Sequence, residues 1–416
     1  MAGLDVAIVG GGVAGIAAAR RLQELGRSIL LVEALPRLGG RAHTVSLAGH
    51  AIDLGCGWLH SAERNPLAPI AESLGLRFDR SEGAWCRQLR NLGISAHDQH
   101  AAWTAYERWG ERLRHDPPPS DCAADAMPAD DRWRGFVDGL SSFVNGTELD
   151  RLSAADFVNY DDAATETNWR LESGYGAFLA GLGGAVPTRL GTPVTAIAMD
   201  AGVTLETADG AIRARAAIVA VSTAVLSQGG VRLPGVADDH IHAAAGLPLG
   251  LADKIFFAMA EPEMVPPESH LLGRADSAAT GSYYLRPFGR PLIECYLGGR
   301  QAEALERGGE AAANAFAIEE LRHLLGSDFV KGLTPLVVTQ WRREPTIGGS
   351  YSHALPGRAA ARVTLARPVD ERLCFAGEAC SVTDFSTAHG AWQSGIAAAD
   401  AIDRGLGMRQ AQGGRA

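Results

Sequence analysis

This sequence lacks the marks of several large classes of protein. Its six cysteines show neither C-x-x-C nor zinc-type spacing, so we expect reduced thiols rather than a disulfide framework or a metal site. No stripe of Lys and Arg appears and the formal net charge is -10, so a nucleic-acid role has no electrostatic footprint. No apolar run reaches membrane-spanning length, and a strand beginning at Leu4 leaves no room for a signal peptide. These absences predict a cytoplasmic protein without metal, nucleic acid or membrane span.

The first part of the chain contains a dinucleotide-binding pattern. The short, β-branched run Leu4–Val9 predicts a buried strand, and it leads directly into G-x-G-x-x-G at Gly10, Gly12 and Gly15. A stretch of high helix propensity and a second apolar strand follow, and they end at Glu33. In such a unit the glycines bring backbone and a helix N-terminus to the pyrophosphate, and the carboxylate accepts from ribose hydroxyls. We therefore predict a Rossmann-like unit that binds a dinucleotide.

A second glycine turn follows at Gly39 and Gly40, and it carries Arg37 and Arg41. A nicotinamide enzyme has no obvious need for this turn. A larger dinucleotide such as FAD extends across the fold, so the backbone of both glycines and the guanidinium of Arg41 could bind near its pyrophosphate. The alternative is a surface turn with solvated arginines, which would be favoured if the first motif were absent.

Features typical of a ligand site also occur later in the chain. Gly57 belongs to a glycine-rich backbone that a flat ring could approach closely. Residues 96–180 change to alanine, tryptophan and charged residues at helical spacing, which predicts a mostly helical insertion. Near the end of the chain a strand meets Gly377 and Glu378, and small residues open the last helix. Cofactor-like features therefore occur at both ends of the sequence.

In combination, these residues resemble the flavin-containing amine oxidase family, which includes monoamine oxidases, polyamine and spermine oxidases and histone lysine demethylases. The resemblance spans nearly the whole chain in order, and the C-terminal motifs make it specific. Its motifs are Gly10-x-Gly12-x-x-Gly15, Glu33, Arg37-Leu38-Gly39-Gly40-Arg41, Asp53-Leu54-Gly55, Lys254, Trp341, Gly349-Ser350-Tyr351-Ser352, Ala376-Gly377-Glu378 and His389-Gly390-Ala391. In local motifs, Gly57-Trp58-Leu59-His60 looks most like the spermine and acetylpolyamine oxidases.

The family implies an α/β fold, α+β overall, with FAD at the junction of two domains. A discontinuous Rossmann-like FAD-binding domain would comprise residues 1–80, 176–250 and 355–416. A substrate-binding domain would comprise residues 81–175 and 251–354, with a mixed sheet flanked by helices and a helical insertion at about 96–172.

The resemblance also implies which residues hold the FAD. Glu33 would hold the adenosine ribose, and Val194 would hold the adenine edge through its backbone. Arg41 would lie at the pyrophosphate region, and Glu378 at the far ribityl and phosphate side. Ser350 stands where covalently flavinylated members carry cysteine, so the FAD should be bound non-covalently. The full predicted cofactor-binding set is Gly10, Gly12, Gly15, Glu33, Arg37, Gly39, Gly40, Arg41, Gly57, Trp58, Val194, Gly377, Glu378, Thr387 and Ala388.

Five residues form the predicted catalytic set. Lys254 looks like the family lysine that holds a water near flavin N5, and burial could lower its pKa. Tyr351 matches one wall of the aromatic cage around the amine, whereas Thr387 takes the facing position and leaves the cage half open. Trp341 would bound the pocket as well. His60 matches a histidine that faces the substrate in animal polyamine oxidases.

The implied activity is oxidation of an amine C–H bond by hydride transfer to flavin N5. The resulting imine would hydrolyse to aldehyde and amine, and molecular oxygen would reoxidise the flavin to give hydrogen peroxide. A polyamine-like or other secondary amine is the favoured substrate, and a homodimer is a further expectation. Two alternatives stay open, namely a flavin-dependent carbon–carbon desaturase or oxidase of the same superfamily and a non-catalytic flavin-binding scaffold.

Overall fold

The computed structural model describes residues 3–86, 88–89, 92 and 94–413. Its strands are β1 (Leu4–Val9), β2 (Ile29–Val32), β3 (Thr44–Leu47), β4 (His50–Asp53), β5 (Phe78–Asp79), β6 (Arg170–Leu171), β7 (Thr188–Arg189), β8 (Val194–Met199), β9 (Val203–Thr207), β10 (Gly210–Val219), β11 (Ala252–Met259), β12 (Ser269–Leu272), β13 (Ser282–Leu285), β14 (Leu292–Gly298), β15 (Leu333–Val338) and β16 (Leu373–Phe375). Its α-helices are α1 (Val13–Glu24), α2 (Leu67–Ser73), α3 (Ala96–His115), α4 (Arg134–Asn145), α5 (Ala154–Asp161), α6 (Tyr175–Gly181), α7 (Thr223–Ser227), α8 (Asp238–Ala245), α9 (Gly299–Gly308), α10 (Glu310–Leu325), α11 (Ser327–Lys331), α12 (Ala361–Ala366) and α13 (Ala388–Gly413).

A seven-stranded sheet combines the N-terminal strands with later ones, in the order β7-β2-β1-β10-β9-β8, with β16 also paired to β10. The pairs among β7, β2, β1, β10 and β16 are parallel, whereas β8, β9 and β10 form an antiparallel meander. The carboxyl ends of β1, β2, β10 and β16 therefore meet at one edge, where ligands bind in open α/β sheets. The predicted Rossmann-like unit is confirmed.

Helices α1 and α13 cover one face of this sheet. Ile16 and Leu22 of α1 are fully buried, as is Ile402 of α13. The two helices approach closely at Gly395, where an added Cβ atom would lie 2.1 Å from the carbonyl oxygen of Ala14. The first and last parts of the chain thus pack together, and this places the cofactor-like motifs of both ends side by side.

A five-stranded sheet has the order β12-β13-β14-β11-β15. All of its strand pairs are antiparallel. The sheet that mixes parallel and antiparallel pairs is therefore the first one, and not the sheet expected for the substrate-binding domain. Phe257, Tyr283 and Ile293 are fully buried in its core, and Ala317 and Leu321 of α10 pack against them.

The region 96–172, predicted from its spacing to be mostly helical, contains α3, α4 and α5. Ser95 caps α3, because its hydroxyl accepts from the backbone N–H of Asp98 at 3.1 Å. Trp109 packs in the core that these helices share and donates from its indole N–H to the carbonyl of Ala123 at 2.9 Å.

The two sheets come from different parts of the chain. Strands of the first sheet fall within residues 4–32, 188–219 and 373–375, and those of the second within 252–338. The exact domain boundaries given above stay a prediction. No helix in the described part of the chain combines the length and the apolar character needed to cross a membrane.

Candidate active site

A cavity of about 810 Å³ opens at the carboxyl edge of the first sheet and extends to the second sheet. It brings together most of the residues predicted from the sequence. Those that line it are Gly10, Gly12, Glu33, Gly39, Gly40, Arg41, Gly57, Trp58, His60, Val194, Lys254, Trp341, Tyr351, Gly377, Glu378, Thr387 and Ala388. Gly15 and Arg37 lie outside this lining and support the turns behind it.

The first glycine turn contains both a glycine that lines the cavity and a glycine that supports the turn behind it. At Gly15 an added Cβ atom would lie 1.9 Å from the carbonyl oxygen of Gly10, so this glycine lets α1 pack against the turn. At Gly12 nothing lies within 4 Å of an added Cβ atom, and the residue faces the cavity. Its bare backbone therefore leaves room for a ligand at the N-terminus of α1, where peptide N–H groups favour anions.

Glu33 stands at the end of β2, beside the glycine turn. Its carboxylate accepts hydrogen bonds from the backbone N–H groups of Gly11 and, at 2.7 Å, Leu35. Burial nevertheless raises the pKa of Glu33. Further donors would therefore stabilise this carboxylate, as expected of a residue that binds ribose hydroxyls.

The second glycine turn packs directly on the first. The N–H of Gly39 donates to the carbonyl of Gly11 at 2.9 Å, and an added Cβ atom at Gly40 would lie 3.3 Å from Cα of Gly12. Arg37 donates to the carbonyl of Gly40 at 2.9 Å, so it braces the turn. The two turns together form a backbone cradle along the cavity wall.

Arg41, which directly follows Gly40, forms an ion pair with Glu378 at 3.0 Å. The carboxylate of Glu378 also accepts from the N–H and hydroxyl of Ser352, at 3.1 and 2.7 Å, and from the N–H of Ser386 at 2.9 Å. Burial alone would raise the pKa of Glu378, but Arg41, the neighbouring Arg362 and the hydrogen bonds hold it below its usual value. Glu378 thus stays negatively charged and holds the Arg41 guanidinium in place through the ion pair.

Thr387 and Ala388 lie where α13 begins. The hydroxyl of Thr387 donates to the carbonyl of Asp384 at 2.6 Å and accepts from the N–H of Gly390 at 3.0 Å. The hydroxyl is therefore engaged in capping the helix. Thr387 also lines the cavity, but its hydroxyl proton is already used. The N-terminus of α13 adds a second site favourable to negative charge.

These residues fit an FAD. Two glycine turns and two helix N-termini line the wall with bare backbone, Glu33 stands at the predicted ribose position, and Arg41 supplies a cation. Val194 is buried at the start of β8 and lines the same wall.

Lys254 projects from β11 into the cavity and is almost fully buried. Its ammonium lies 2.8 Å from a carboxylate oxygen of Glu294 and donates to the carbonyl of Asp53 at 3.0 Å. Burial alone lowers the pKa of Lys254, but the charges of Glu294 and Asp53 outweigh it, and the pKa lies above its usual value. The expectation of a low pKa is therefore wrong, because burial came with a carboxylate partner.

Tyr351 lines the cavity next to a second tyrosine. Its hydroxyl donates to the carbonyl of Phe143, and the hydroxyl of Tyr296 lies 3.0 Å from it. Burial raises the pKa of Tyr351 well above its usual value, so the phenol stays neutral. Tyr351 and Tyr296 together form an aromatic part of the cavity wall.

Trp341 forms part of the wall near Gly55. An added Cβ atom at Gly55 would lie 3.3 Å from the indole, so this glycine allows the ring to come close. The backbone N–H of Trp341 donates to Asp253 at 3.3 Å. Burial raises the pKa of Asp253 to about 7.

His60 lines the cavity. Its Nδ1 donates to the side-chain oxygen of Asn168 at 2.7 Å, which leaves Nε2 as an acceptor. Burial lowers the pKa of His60. A neutral imidazole at this place can accept a hydrogen bond from an amine.

Trp58 lines the cavity and contacts two other aromatic rings of its lining. Its ring centroid lies 4.5 Å from that of Trp85 and 6.3 Å from that of Tyr284, and the guanidinium of Arg170 lies 4.8 Å from it. The cofactor role expected for Trp58 stays a prediction, as does the role of Gly57.

Two residues of the site were missed by sequence reasoning, namely Glu294 and Tyr296 of β14. They lie opposite Phe256 and Lys254 in the antiparallel pairing with β11. A carboxylate in the otherwise apolar stretch Leu292–Leu297 was the available signal. It could not be used without knowing which strand lies beside it.

Comparison with known proteins agrees with this geometry. The profile of the family described as flavin containing amine oxidoreductase matches residues 13–117 and 107–403. Polyamine oxidase 4 of Oryza sativa subsp. japonica is 29% identical over 445 residues, covering 98% of this chain and 90% of that protein. Polyamine oxidase 2 of Arabidopsis thaliana is 28% identical over 433 residues, covering 95% and 87%.

Among solved structures, putrescine oxidase bound to putrescine superimposes with a TM-score of 0.79. The match covers 96% of this chain and 98% of that one at 17% sequence identity, so it shows the fold. The chain belongs to the family of flavin-containing amine oxidoreductases, and it is an FAD-dependent amine oxidase.

Proposed function

We propose that this enzyme oxidises the C–H bond beside the nitrogen of a secondary amine, giving an imine that hydrolyses to aldehyde and amine. The observation that carries the proposal is the buried Lys254–Glu294 ion pair, which lies in the same cavity as the FAD cradle. FAD, when bound, supplies the acceptor for the hydride, and molecular oxygen is the proposed acceptor that restores it with release of hydrogen peroxide.

Lys254 would hold a water molecule at the reaction site. A protonated lysine has three N–H donors, and two of them are used by Glu294 and the carbonyl of Asp53. The third donor remains for water or for a proton transfer near the reacting atoms. Because the pKa of Lys254 is raised, this donor is present throughout the neutral range.

His60 and the aromatic wall would bind and orient the amine. The free Nε2 of His60 can accept from the amine N–H, which holds the nitrogen without requiring a charge on the imidazole. Tyr351 and Trp341 bound the pocket and keep water away from the reacting carbon. Thr387 lines the pocket without offering a free hydroxyl proton.

The FAD is proposed to be non-covalently bound. Ser350 lies in the cavity wall, and its hydroxyl donates to the carbonyl and accepts from the N–H of Ala252, both at 2.8 Å. A hydroxyl held in this way lacks the thiolate reactivity that attachment through cysteine uses. A cytoplasmic location and a homodimer are carried as further proposals.

The substrate class is proposed from the relatives. Several of them are named polyamine oxidases, which supports a polyamine-like or other secondary amine. No relative named above is a desaturase, so the carbon–carbon alternative is not favoured.

The test begins with the purified holoenzyme. It should be yellow, and denaturation followed by filtration should release the FAD. Anaerobic addition of a secondary amine should bleach the flavin, and admission of oxygen should restore the colour with one peroxide formed per amine oxidised. Bleaching by a polyene and by no amine would reject the proposal.

A Lys254→Met variant tests the residue on which the proposal rests. The variant should still bind FAD, but the amine should reduce this FAD about 100-fold more slowly. The reason is that the water near the reacting nitrogen loses the N–H donor that holds it and that can transfer a proton. Unchanged reduction and reoxidation rates would remove Lys254 from the site.

A further inference from the structure

Helix α4 turns a row of uncharged side chains toward the cavity. Phe136, Leu140 and Val144 recur every four residues and all line it, so they share one face of the helix. Along that face α4 rises about 12 Å. Trp103 of α3 extends the row, because its ring centroid lies 5.5 Å from that of Phe136 at an angle of 82°. We call Trp103, Phe136, Leu140, Phe143 and Val144 the apolar arm.

The apolar arm is joined to the reaction site by direct contacts. The hydroxyl of Tyr351 donates to the carbonyl of Phe143, and the Phe143 ring lies 6.2 Å from the ring of Tyr296. A ligand whose nitrogen lies near Lys254 therefore has a continuous wall of aromatic and aliphatic side chains along which the rest of the molecule can extend.

Two members of the arm are exposed although they are large and apolar. Trp103 is 45% exposed and Val144 is 43% exposed, and both face the cavity. Exposed apolar surface that is gathered in a cleft marks a binding groove, whereas scattered apolar residues on a surface need no explanation. Covering this surface with hydrocarbon would be favourable.

The charges around the arm do not suit a linear polyamine. Among cavity-lining carboxylates, Glu294 is paired with Lys254 and Asp161 with Arg114. Glu166 lines the cavity and has no ion pair within the described part of the chain. No described residue of α3 or α4 that lines the cavity is charged. The two or more distal ammonium groups of a linear polyamine would therefore lose water on binding, and among the described residues around the arm only one unpaired carboxylate, Glu166, would be there to compensate them.

We infer that the apolar arm binds a hydrocarbon group of the substrate, so that the enzyme's amine is a secondary amine with one long alkyl or aryl substituent rather than a linear polyamine. This inference rests on the proposed function and narrows its substrate class. The nitrogen would lie near Lys254 and the hydrocarbon would cover Val144 and Trp103.

A chain-length series tests the inference. The dissociation constants of N-methylpropylamine, N-methylhexylamine and N-methyldecylamine are measured from anaerobic flavin bleaching, with spermidine for comparison. Each added methylene that enters the arm should tighten binding about threefold to fourfold. Equal constants across the series, or tighter binding of spermidine than of N-methyldecylamine, would overturn the inference.

A pair of valine variants locates the effect. Val144→Ser should weaken binding of N-methyldecylamine about tenfold and leave N-methylpropylamine unchanged. Val363→Ser is the control, because Val363 is also an exposed helical valine, 54% exposed, and lies outside the cavity lining. Equal effects of the two substitutions would place the hydrocarbon elsewhere.

n-Decanol separates the two proposals, because it carries the hydrocarbon but no amine. It should change the tryptophan fluorescence of the holoenzyme through Trp103, and the Val144→Ser variant should require more of it than Val363→Ser. Decanol binding without bleaching by any amine would support the arm and reject the amine oxidation. Amine bleaching without decanol binding would reject the arm alone.

Discussion

The ammonium of Lys254 lies 2.8 Å from the carboxylate of Glu294, and the two residues stand on neighbouring strands of the second sheet. The pair keeps a cation inside a cavity that would otherwise favour the neutral amine. Glu294 therefore has the largest part in keeping the lysine protonated, although the family resemblance did not single it out.

Replacing Glu294 by Gln should move the pH dependence of flavin reduction. In the wild type the raised pKa keeps Lys254 protonated at neutral pH, so the rate should fall only in strongly alkaline solution. Without the carboxylate, burial is the largest remaining influence and lowers the pKa, so the fall should begin at lower pH. Stopped-flow reduction by a fixed amine across pH measures the displacement.

The control for this experiment is Glu263→Gln. Glu263 also forms an ion pair, with Arg286 at 3.3 Å, but the Glu263 side chain is 85% exposed. Its pH profile should match the wild type. A Glu294→Gln profile that matches it as well would show that Glu294 does not set the charge of Lys254.

The site shows where sequence reasoning reaches its limit. Lys254 and Tyr351 were predicted from the family resemblance, whereas the glycine turns could be predicted because each lies in a contiguous pattern with its own physical reason. Glu294 and Tyr296 could not, because their place beside Lys254 depends on the register of two strands about forty residues apart in the chain. The lysine pKa was mispredicted for the same reason.

The same limit applies to the fold. The second sheet was expected from the family resemblance, whereas the first strands and the helices within residues 96–172 followed from apolar runs and helical spacing. Which face of α4 would line the cavity did not, since Phe136 and Val144 look like ordinary core residues in the sequence. It is the packing of α4 beside Tyr351 that makes that face part of the cavity lining.

Alanine at Gly12 should remove the cofactor and spare the fold. The φ of Gly12 is -72°, which any residue can adopt, and nothing lies within 4 Å of an added Cβ atom. The methyl group would instead occupy space in which the protein backbone is predicted to contact the FAD. We expect a Gly12→Ala protein with the circular dichroism and thermal midpoint of the wild-type apoprotein, but colourless and with FAD affinity reduced at least about tenfold.

Gly15→Ala is the matched comparison in the same turn. Its Cβ atom would lie 1.9 Å from the carbonyl of Gly10, so the turn and α1 must move apart. This variant should lose thermal stability even without FAD. If Gly12→Ala and Gly15→Ala lower the apoprotein midpoint equally, the proposed division between cofactor space and packing is wrong.

Asp156→Asn should destabilise the protein strongly. Asp156 on α5 and Arg362 on α12 are fully buried and form two charge-assisted hydrogen bonds, at 2.6 and 2.8 Å. Removing one charge leaves a buried guanidinium without its partner, which costs about 3 to 5 kcal/mol. The free energy of unfolding from urea titrations should fall by this amount.

The surface pair of Asp328 and Lys331 gives the control. It has a similar separation of 2.7 Å, but both side chains are exposed. Asp328→Asn should leave the urea midpoint unchanged, because water screens such pairs. An equally small effect at Asp156 would mean that Arg362 finds sufficient partners in Ser352 and the neighbouring carbonyls.

Two glycines of α13 should respond to alanine in opposite directions. At Gly395 the added Cβ atom would lie 2.1 Å from the carbonyl of Ala14, so α13 must move away from α1, at a cost of about 1 to 3 kcal/mol. At Gly407 nothing lies within 4 Å, and alanine should stabilise the helix by up to about 1 kcal/mol. Thermal unfolding of Gly395→Ala and Gly407→Ala measures both. Because helix propensity alone favours alanine at both positions, a lower midpoint at Gly395 alone would show that contact between the two ends of the chain requires a glycine there, and a raised midpoint at both would show that it does not.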